Sequence, residues 1–487
     1  MNNKKLSNKN IFSYAIGDFY GGGAFFIIGA LFLVFLTDVG GLKSTYAGII
    51  ILVGKIWDAV TDPTMGYISD HTKSKHGRRR IYFLVGIIPI MISFALLWVN
   101  VNTPSQVLKF IYYLVTYLLF NTVFTMVMVP YNSMPAEMTD DYKERSKLIS
   151  IRMVFSQFGA LLGAVLPLTI INSFQDKGTG FLIMGVMFGI MYACPWYFVF
   201  KGTSERQCSI EDRNSKGMMA ELKDLFKEFA STYKNKSLKI HLTMYVCAYV
   251  AMDIFNALLI YYLRNYLGKE SFYQVILGVL VIVEMGTLYF VAKECSKTGN
   301  AATYRRHSII WVIGIILLGL ATPNTPVGFL IALAAIVGIG LSGDVMVPYN
   351  MLAFVVDADE LISMRRREGT YAGMMTFLRK LAQAFALFLV GVGLDLVGYQ
   401  SGGVIKQTTS AITGIRIMFC IIPVLLISYG FYTSFKFKID PKNHKILMEE
   451  INRLKEGGKK ETVEAKTKEV CEDITGISYE KLWSVNG

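Results

Sequence analysis

Asp58 and Asp62 lie within Thr45–Asp70, TYAGIIILVGKIWDAVTDPTMGYISD, an apolar stretch long enough to cross a membrane. Four residues is about one helical turn, so the two carboxylates stack on one face, with Lys55 one turn before Asp58. A charge at bilayer depth costs at least about 2.5–3.5 kcal/mol, so residues placed there are rare and usually functional. Two carboxylates this close resist joint ionisation, and one proton or one metal cation relieves them. Lys55 would neutralise one of them when the site is empty. The ladder reads first as a cation or proton site, against the plainer reading of a buried salt-bridged patch. Pro63 follows directly and weakens the backbone ladder, which predicts a kink beside the site.

A second constellation begins at Asp18, which is followed by Phe19, Tyr20 and Gly21–Gly23. A carboxylate accepts from hydroxyls, an aromatic face suits a sugar ring, and the glycines permit close approach of a helix or ligand. The competing reading is helix packing around an acid paired with Arg or Lys. Arg152 and Lys380 are the basic residues placed to face a cavity, where each would pair with the acids or donate to a substrate. Arg379 is adjacent to Lys380 and so points elsewhere on its helix. Asp253, Glu284 and Asp344 are acids within later apolar stretches, and nothing in their spacing ranks them.

These residues need elements that hold them in a bilayer. The chain has 487 residues, 53% of them hydrophobic, and a mean hydropathy of +0.43. That excludes an ordinary soluble protein and predicts an all-α, polytopic membrane protein. Twelve transmembrane spans are expected near 11–36, 45–69, 81–100, 108–134, 148–171, 180–201, 240–264, 271–293, 308–322, 327–352, 370–394 and 411–435. The first run is too long for a signal core and contains Asp18, so no cleavable signal is read there. The formal charge of +13 does not point to nucleic acid, because the basic residues cluster in short loops. On one side these loops carry 18 Lys and Arg, on the other 6, which places both termini in the cytoplasm of a cell-membrane protein. The 6 cysteines show no paired spacing and the 5 histidines no HExxH-like pattern, so neither a disulfide framework nor a metal-enzyme site is read. An integral-membrane enzyme would need a nucleophile or metal cluster that this sequence does not display.

The division is six spans plus six. Residues 1–201 form an N-terminal bundle, 202–239 a cytoplasmic linker, 240–436 a C-terminal bundle and 437–487 a cytoplasmic tail. In the linker, Met218, Leu222, Leu225, Phe226 and Phe229 follow helical spacing, which predicts an amphipathic helix at the interface. The tail is polar, with a short helix near Lys445–Lys455, and reads as solvated. The hexapeptide VMVPYN occurs at Val127–Asn132 and again at Val345–Asn350, each copy ending a span before a charged cytoplasmic segment. Tyr131 and Asn132 of the first copy are candidate sugar contacts. Gly66–Arg80, GYISDHTKSKHGRRR, reads as a cytoplasmic latch in which Asp70, Arg78 and Arg79 hold helix ends. Arg145, Glu137, Asp140 and residues 357–369 occupy related cytoplasmic positions. Duplicated six-span halves related by an axis along the membrane normal are the architecture of major facilitator transporters, with substrate taken near the midplane.

The segments GDFYGGGAFF…FLTDVGG, KIWDAVTDPTMGYISDHTKSKHGRRR, VPYNSMPAEMTDDYKERSK and RRREGTYAGMMTFLRK resemble the glycoside–pentoside–hexuronide:cation symporters, the melibiose-permease group of the major facilitator superfamily. The resemblance covers residues 10–435. It implies that Asp58 and Asp62 are the cation-binding aspartates, that Thr125 helps ligate the ion, and that Lys380 lies near the same site. If the ion is sodium, Asp58, Asp62 and Thr125 are its ligands. It also implies that Arg152 contacts sugar. No cofactor is implied beyond the coupling ion, which is Na+, Li+ or H+. Sodium-using members often carry an amide where this chain has Thr61. The two carboxylates that bind galactosides in melibiose-type members fall on Gly22 and Met128, with Asp18 one turn away. A melibiose-like galactoside is therefore not the expected substrate. Relatives carry glucuronides, pentosides or xylosides, and a few distant ones carry lipids. The expected activity is sugar–cation symport, with transport of a non-sugar solute such as a lipid or drug as the alternative.

Overall fold

In the computed structural model the described residues are 6–139, 142–205, 223, 227–402 and 406–483, and among them there is no β-strand. The first span is built from α1 (Asn8–Ala15), α2 (Asp18–Ile27) and two π-helical segments, Ile28–Phe32 and Phe35–Val39. Then follow α3 (Ser44–His71), α4 (Arg80–Val85), α5 (Ile87–Leu96), α6 (Gln106–Met138), α7 (Tyr142–Asn172) and α8 (Lys177–Gly202). The later helices are α9 (Lys236–Asn265), α10 (Tyr273–Thr298), α11 (Asn300–Leu320), α12 (Val327–Ser363), α13 (Glu368–Leu396) and α14 (Thr409–Ser434). Each of the twelve expected spans coincides with one of these helices or a short series of them. Ten stretches among the described residues are long and apolar enough to cross a membrane. Two complete the set: α5 is a shorter apolar helix, and α3 carries Lys55, Asp58 and Asp62.

Local signals set the helix ends. Ser7 and Ser105 accept from the backbone of Asn10 and Leu108 at the starts of α1 and α6, and Asp176 accepts from Gly178 and Thr179 at the start of α8. The α3 helix has no side-chain cap of its own. Asp395, near the end of α13, accepts from the backbone N–H of Ser44 and Thr45 at 3.2 and 2.7 Å and serves instead. α3 runs unbroken through Pro63, although Pro63 has no N–H for the Ala59 carbonyl.

The chain forms two compact units. The first comprises Met1–Met218, Asn256–Gly278 and Ala384–Ile415. Within it α2 packs tightly on α7, because Gly22 and Gly159 let the backbones approach. A Cβ on Gly22 would sit 2.3 Å from the Ser156 carbonyl, and one on Gly159 2.4 Å from the Phe19 carbonyl. Asp38 joins the later segments to the first span: it pairs with Arg264 and accepts from Tyr399 Oη at 2.8 Å. Arg264 in turn donates to Glu270 at 2.7 Å.

The second unit comprises Met219–Phe255, Val279–Gln383 and Arg416–Gly487. Here the tail departs from the expectation of a solvated segment. It folds into α15 (Pro441–Lys455) and α16 (Ala465–Thr475), which bury Leu447, Ile451, Leu454, Cys471, Ile474 and Leu482. Leu447, Ile451 and Leu454 follow helical spacing, so the apolar stripe was present in the sequence and needed a partner. That partner is the end of α12. His444 meets Asp357 at 2.9 Å, Lys455 meets Glu360 at 2.6 Å, and Trp483 N donates to the Leu361 carbonyl at 2.9 Å. In the linker, 227–232 is helical and Phe229 is buried; Met218, Leu222, Leu225 and Phe226 lie outside the described residues, as does Asp140.

Candidate functional site

The acidic ladder of α3 packs on α6. Trp57 Nε1 donates to Thr122 Oγ1 at 2.9 Å, and one turn on, Thr125 Oγ1 donates to Asp62 Oδ1 at 2.8 Å. Lys55 and Asp58 are both buried, their Nζ and Oδ2 atoms 3.4 Å apart, and Lys55 Nζ lies 4.2 Å from the centroid of the Phe25 ring. Gly54 gives the ladder room beside Tyr117 and Asn121, both buried on α6. The ladder thus sets two carboxylates, Lys55 and the Thr125 hydroxyl close together. Carboxylate and hydroxyl oxygens gathered in this way suit one hard monovalent cation or one proton. Lys380, expected near this site, lies on α13 in the second unit.

The Asp18 constellation also forms. Arg152 of α7 donates through Nε to Asp18 Oδ2 at 2.9 Å, and through Nη2 to Asp18 Oδ1 at 3.3 Å and to Asn132 Oδ1 at 2.7 Å. Its guanidinium lies 4.8 Å from the Tyr131 ring centroid. Tyr131 in turn stacks on Tyr14 with ring centroids 4.5 Å apart, and Tyr131 Oη donates to the Tyr14 carbonyl at 2.9 Å. Asp18, Arg152, Tyr131 and Asn132 are thus brought together. Tyr14 was missed, although it stands one turn before Asp18, where a helix puts it on the same face. The acid is paired with arginine, and the donors, acceptors and aromatic faces around the pair are of a kind that suits hydroxyl groups.

The latch residues pair among themselves in the first unit. Arg79 bridges Asp70 at 2.5 Å and Glu137 at 2.8 Å, and Arg78 reaches the same Glu137 oxygen at 2.5 Å. Glu205 accepts from the backbone N–H of Arg78, Arg79 and Arg80, so one carboxylate caps the turn that starts α4. Arg145 donates to the Thr139 carbonyl at 3.0 Å rather than to an acid of this network.

Residues 13–441 match the family described as MFS/sugar transport protein. The chain belongs to that family. Relatives within its reach include the putative glycoside/cation symporter YagG of Escherichia coli (strain K12), 29% identical over 89% of this chain and 93% of that protein. The isoprimeverose transporter of Lactiplantibacillus pentosus is 24% identical over 90% of each chain. Among solved structures, the inward open xylose transporter XylE from E. coli superposes with a TM-score of 0.59 at 12% identity, over 86% of this chain and 95% of that one. The fold is therefore that of the major facilitator transporters.

One part-buried ion pair of this family member escaped the reading of spacing. Arg379, set aside because Lys380 is its neighbour, donates to Asp253 with both Nη atoms, at 2.6 and 2.9 Å. Asp253 and Arg379 are 126 residues apart. No local period connects them, yet Asp253 repeats a pattern present at Asp18: a tyrosine one turn earlier, in Tyr14-x-x-x-Asp18 and Tyr249-x-x-x-Asp253.

Proposed function

We propose that the chain is a secondary active transporter that carries a sugar or glycoside across the cytoplasmic membrane together with Na+, Li+ or H+, both termini lying in the cytoplasm. The observation that carries this reading is the α3 ladder. Lys55 pairs with Asp58, and Thr125 donates its hydroxyl to Asp62, so two carboxylates and a hydroxyl gather within a membrane span. Carboxylate and hydroxyl oxygens placed at that depth suit a monovalent cation or a proton. The membership in a sugar-transport family and the kinship with a putative glycoside/cation symporter support sugar as the co-substrate. Asp18, Arg152, Asn132, Tyr131 and Tyr14 would bind it, acid and guanidinium serving as acceptor and donor for hydroxyls. Lys380 would act beside the ion or the sugar. Asp70, Arg78, Arg79 and Arg145 would hold the cytoplasmic ends in one state and release them in another.

Vesicle uptake tests this reading. Purified protein in proteoliposomes should concentrate a labelled glycoside when a sodium, lithium or proton gradient is imposed, and should only equilibrate it without one. Equal accumulation with and without every gradient would remove coupling. Failure to move any glycoside would favour a non-sugar solute.

A further inference from the structure

At the end of α14, Tyr429, Tyr432 and Phe435 stand three residues apart, each more than half exposed. A row of aromatics where an apolar helix ends marks the boundary between membrane and water. The chain leaves the helix through Lys436–Asp440, KFKID, whose side chains alternate: Phe437 and Ile439 are buried, Lys436 and Lys438 exposed. Lys236, the first residue of α9, lies alongside. Lys236, Lys436 and Lys438, with Tyr432 and Phe435, line one open cavity of about 340 Å³, within the range of about 300–1,000 Å³ usual for sites that hold small ligands. This lining brings together three ammonium groups and no carboxylate. Among the described residues none of the three lysines has an ion-pair partner. Arg305 of α11 extends the same charge: its guanidinium lies 4.5 Å from the centroid of the Phe435 ring, and Nη1 donates to the Ser434 carbonyl at 3.4 Å. Lys436 Nζ lies 5.1 Å from the centroid of the Tyr432 ring, so cations and aromatic faces interleave.

The surroundings hold these lysines in place. Beside Lys236, Ser237 Oγ donates to the Ile474 carbonyl of the tail at 2.6 Å. A Cβ on Gly476 would sit 2.7 Å from Lys236 Cβ, and the φ of +73° there also favours glycine, so the tail passes directly against the lysine stem. Phe437 and Ile439 anchor the strap that carries the other two.

We propose that this cavity binds the headgroup of an anionic phospholipid. The phosphate sits among Lys236, Lys436 and Lys438, and the acyl chains run along Tyr432 and Tyr429 into the bilayer. Three like charges around one cavity repel each other, and the non-bridging oxygens of a phosphodiester relieve them through charge-assisted hydrogen bonds. A zwitterionic headgroup brings its own ammonium to the lysines and loses that gain. A soluble phosphate meets the lysines but leaves the aromatic row uncovered. Basic pockets between spans on the cytoplasmic side, the side proposed for this end, suit anionic lipids.

The test uses full-length protein purified in a non-ionic detergent, its thermal midpoint titrated with dioctanoyl phosphatidylglycerol, dioctanoyl phosphatidylcholine or glycerol 3-phosphate. A ligand bound only to the folded state raises the midpoint as it fills the site. Phosphatidylglycerol should raise it saturably, less so at high salt, and the other two should leave it unmoved. Lys236→Gln with Lys436→Gln and Lys438→Gln should raise the half-effect concentration of phosphatidylglycerol tenfold or more, since each lysine beside an anionic lipid contributes roughly fivefold. Lys438→Glu alone, at an exposed position, should raise it several-fold. The control set Lys442→Gln, Lys459→Gln and Lys466→Gln removes equal charge from exposed tail positions and should leave the titration unchanged. An equal shift with phosphatidylcholine would reduce the site to apolar contact, and an equal shift with glycerol 3-phosphate would make the ligand a soluble anion. Equal weakening by the control set would mean diffuse attraction to the net charge, and no shift with phosphatidylglycerol would mean no site; each of these overturns the proposal. The measurement reads binding alone, so its outcome is independent of whether the protein moves sugar.

Discussion

At the scale of single residues, the hydroxyl of Thr125 is the finest probe of the ion site, because it touches Asp62 without carrying charge. Thr125→Val keeps the shape and removes the oxygen. The expected result is a rise of tenfold or so in the concentration of sodium or lithium that half-activates uptake, corresponding to about 1.4 kcal/mol, while Thr125→Ser stays near wild type. An unchanged cation dependence in Thr125→Val would take the threonine out of the site. Asp58→Asn is the harsher change. It removes one of the two ladder carboxylates and leaves Lys55 facing a neutral amide, so concentrative uptake should disappear; accumulation at the wild-type level in vesicles would count against the ladder. The arrangement of the ladder was legible in the sequence because both carboxylates and Lys55 share one helix, where period 3.6 places them in advance. Asp253 with Arg379 was not, since the contact joins α9 to α13 and adjacency to Lys380 misdirected the reading of Arg379. The missing signal was a comparison of halves by pattern, Tyr-x-x-x-Asp against Tyr-x-x-x-Asp, rather than by identical hexapeptide.

At the scale of elements, two contacts separate what composition foretold from what it could not. The glycines after Asp18 announced a close approach, and α2 against α7 is that approach. Adding a methyl at Gly159 drives it to 2.4 Å from the Phe19 carbonyl, a backbone atom that cannot swing aside. Gly159→Ala should therefore cost about 1–3 kcal/mol by overpacking and lower the thermal midpoint in detergent. Gly29→Ala, with nothing within 4 Å of the added carbon, is the control and should leave the midpoint nearly unmoved. The tail is the opposite case. Its many lysines and glutamates gave a solvated reading, because charge content outweighed the short apolar stripe of α15. The helices dock instead, and Cys471 becomes a reporter of that docking. Burial pushes its thiol up from an ordinary value of 9.0 to about 12. The stability it contributes is complete below pH 9.0 and is lost as pH rises toward 12. In a protein keeping only this cysteine, iodoacetamide at pH 8 should label it slowly, and Leu447→Asp, which puts a charge into the buried stripe, should speed labelling tenfold or more. Rapid labelling of the folded parent would mean that the tail spends its time undocked.

At the scale of the whole molecule, symport requires that two ligands share one free energy. The proposed ion site on α3 and α6 and the proposed hydroxyl-binding cluster on α1, α2 and α7 belong to one compact unit, and α6 contributes to both: Thr125 to the first, Tyr131 and Asn132 to the second, less than two turns apart. An ion that fixes Thr125 against Asp62 also fixes the turn of α6 that presents Tyr131 and Asn132. Linkage then demands reciprocity: if sodium lowers the dissociation constant of the sugar by some factor, the sugar lowers that of sodium by the same factor. Titrations of purified protein by thermal shift measure both, since a ligand bound only to the folded state raises stability by RT ln(1 + [L]/Kd). A coupling of about 1–3 kcal/mol is the usual range and corresponds to roughly 5–150-fold in each direction. Thr125→Val should shrink both factors together, because it cuts the hydroxyl through which α6 senses the ion, whereas Arg152→Lys should weaken sugar binding and leave sodium affinity in the absence of sugar at its wild-type value. Independent titrations in the wild type, with neither ligand altering the other, would detach the two sites and leave an ion-binding protein that does not use the ion to move sugar.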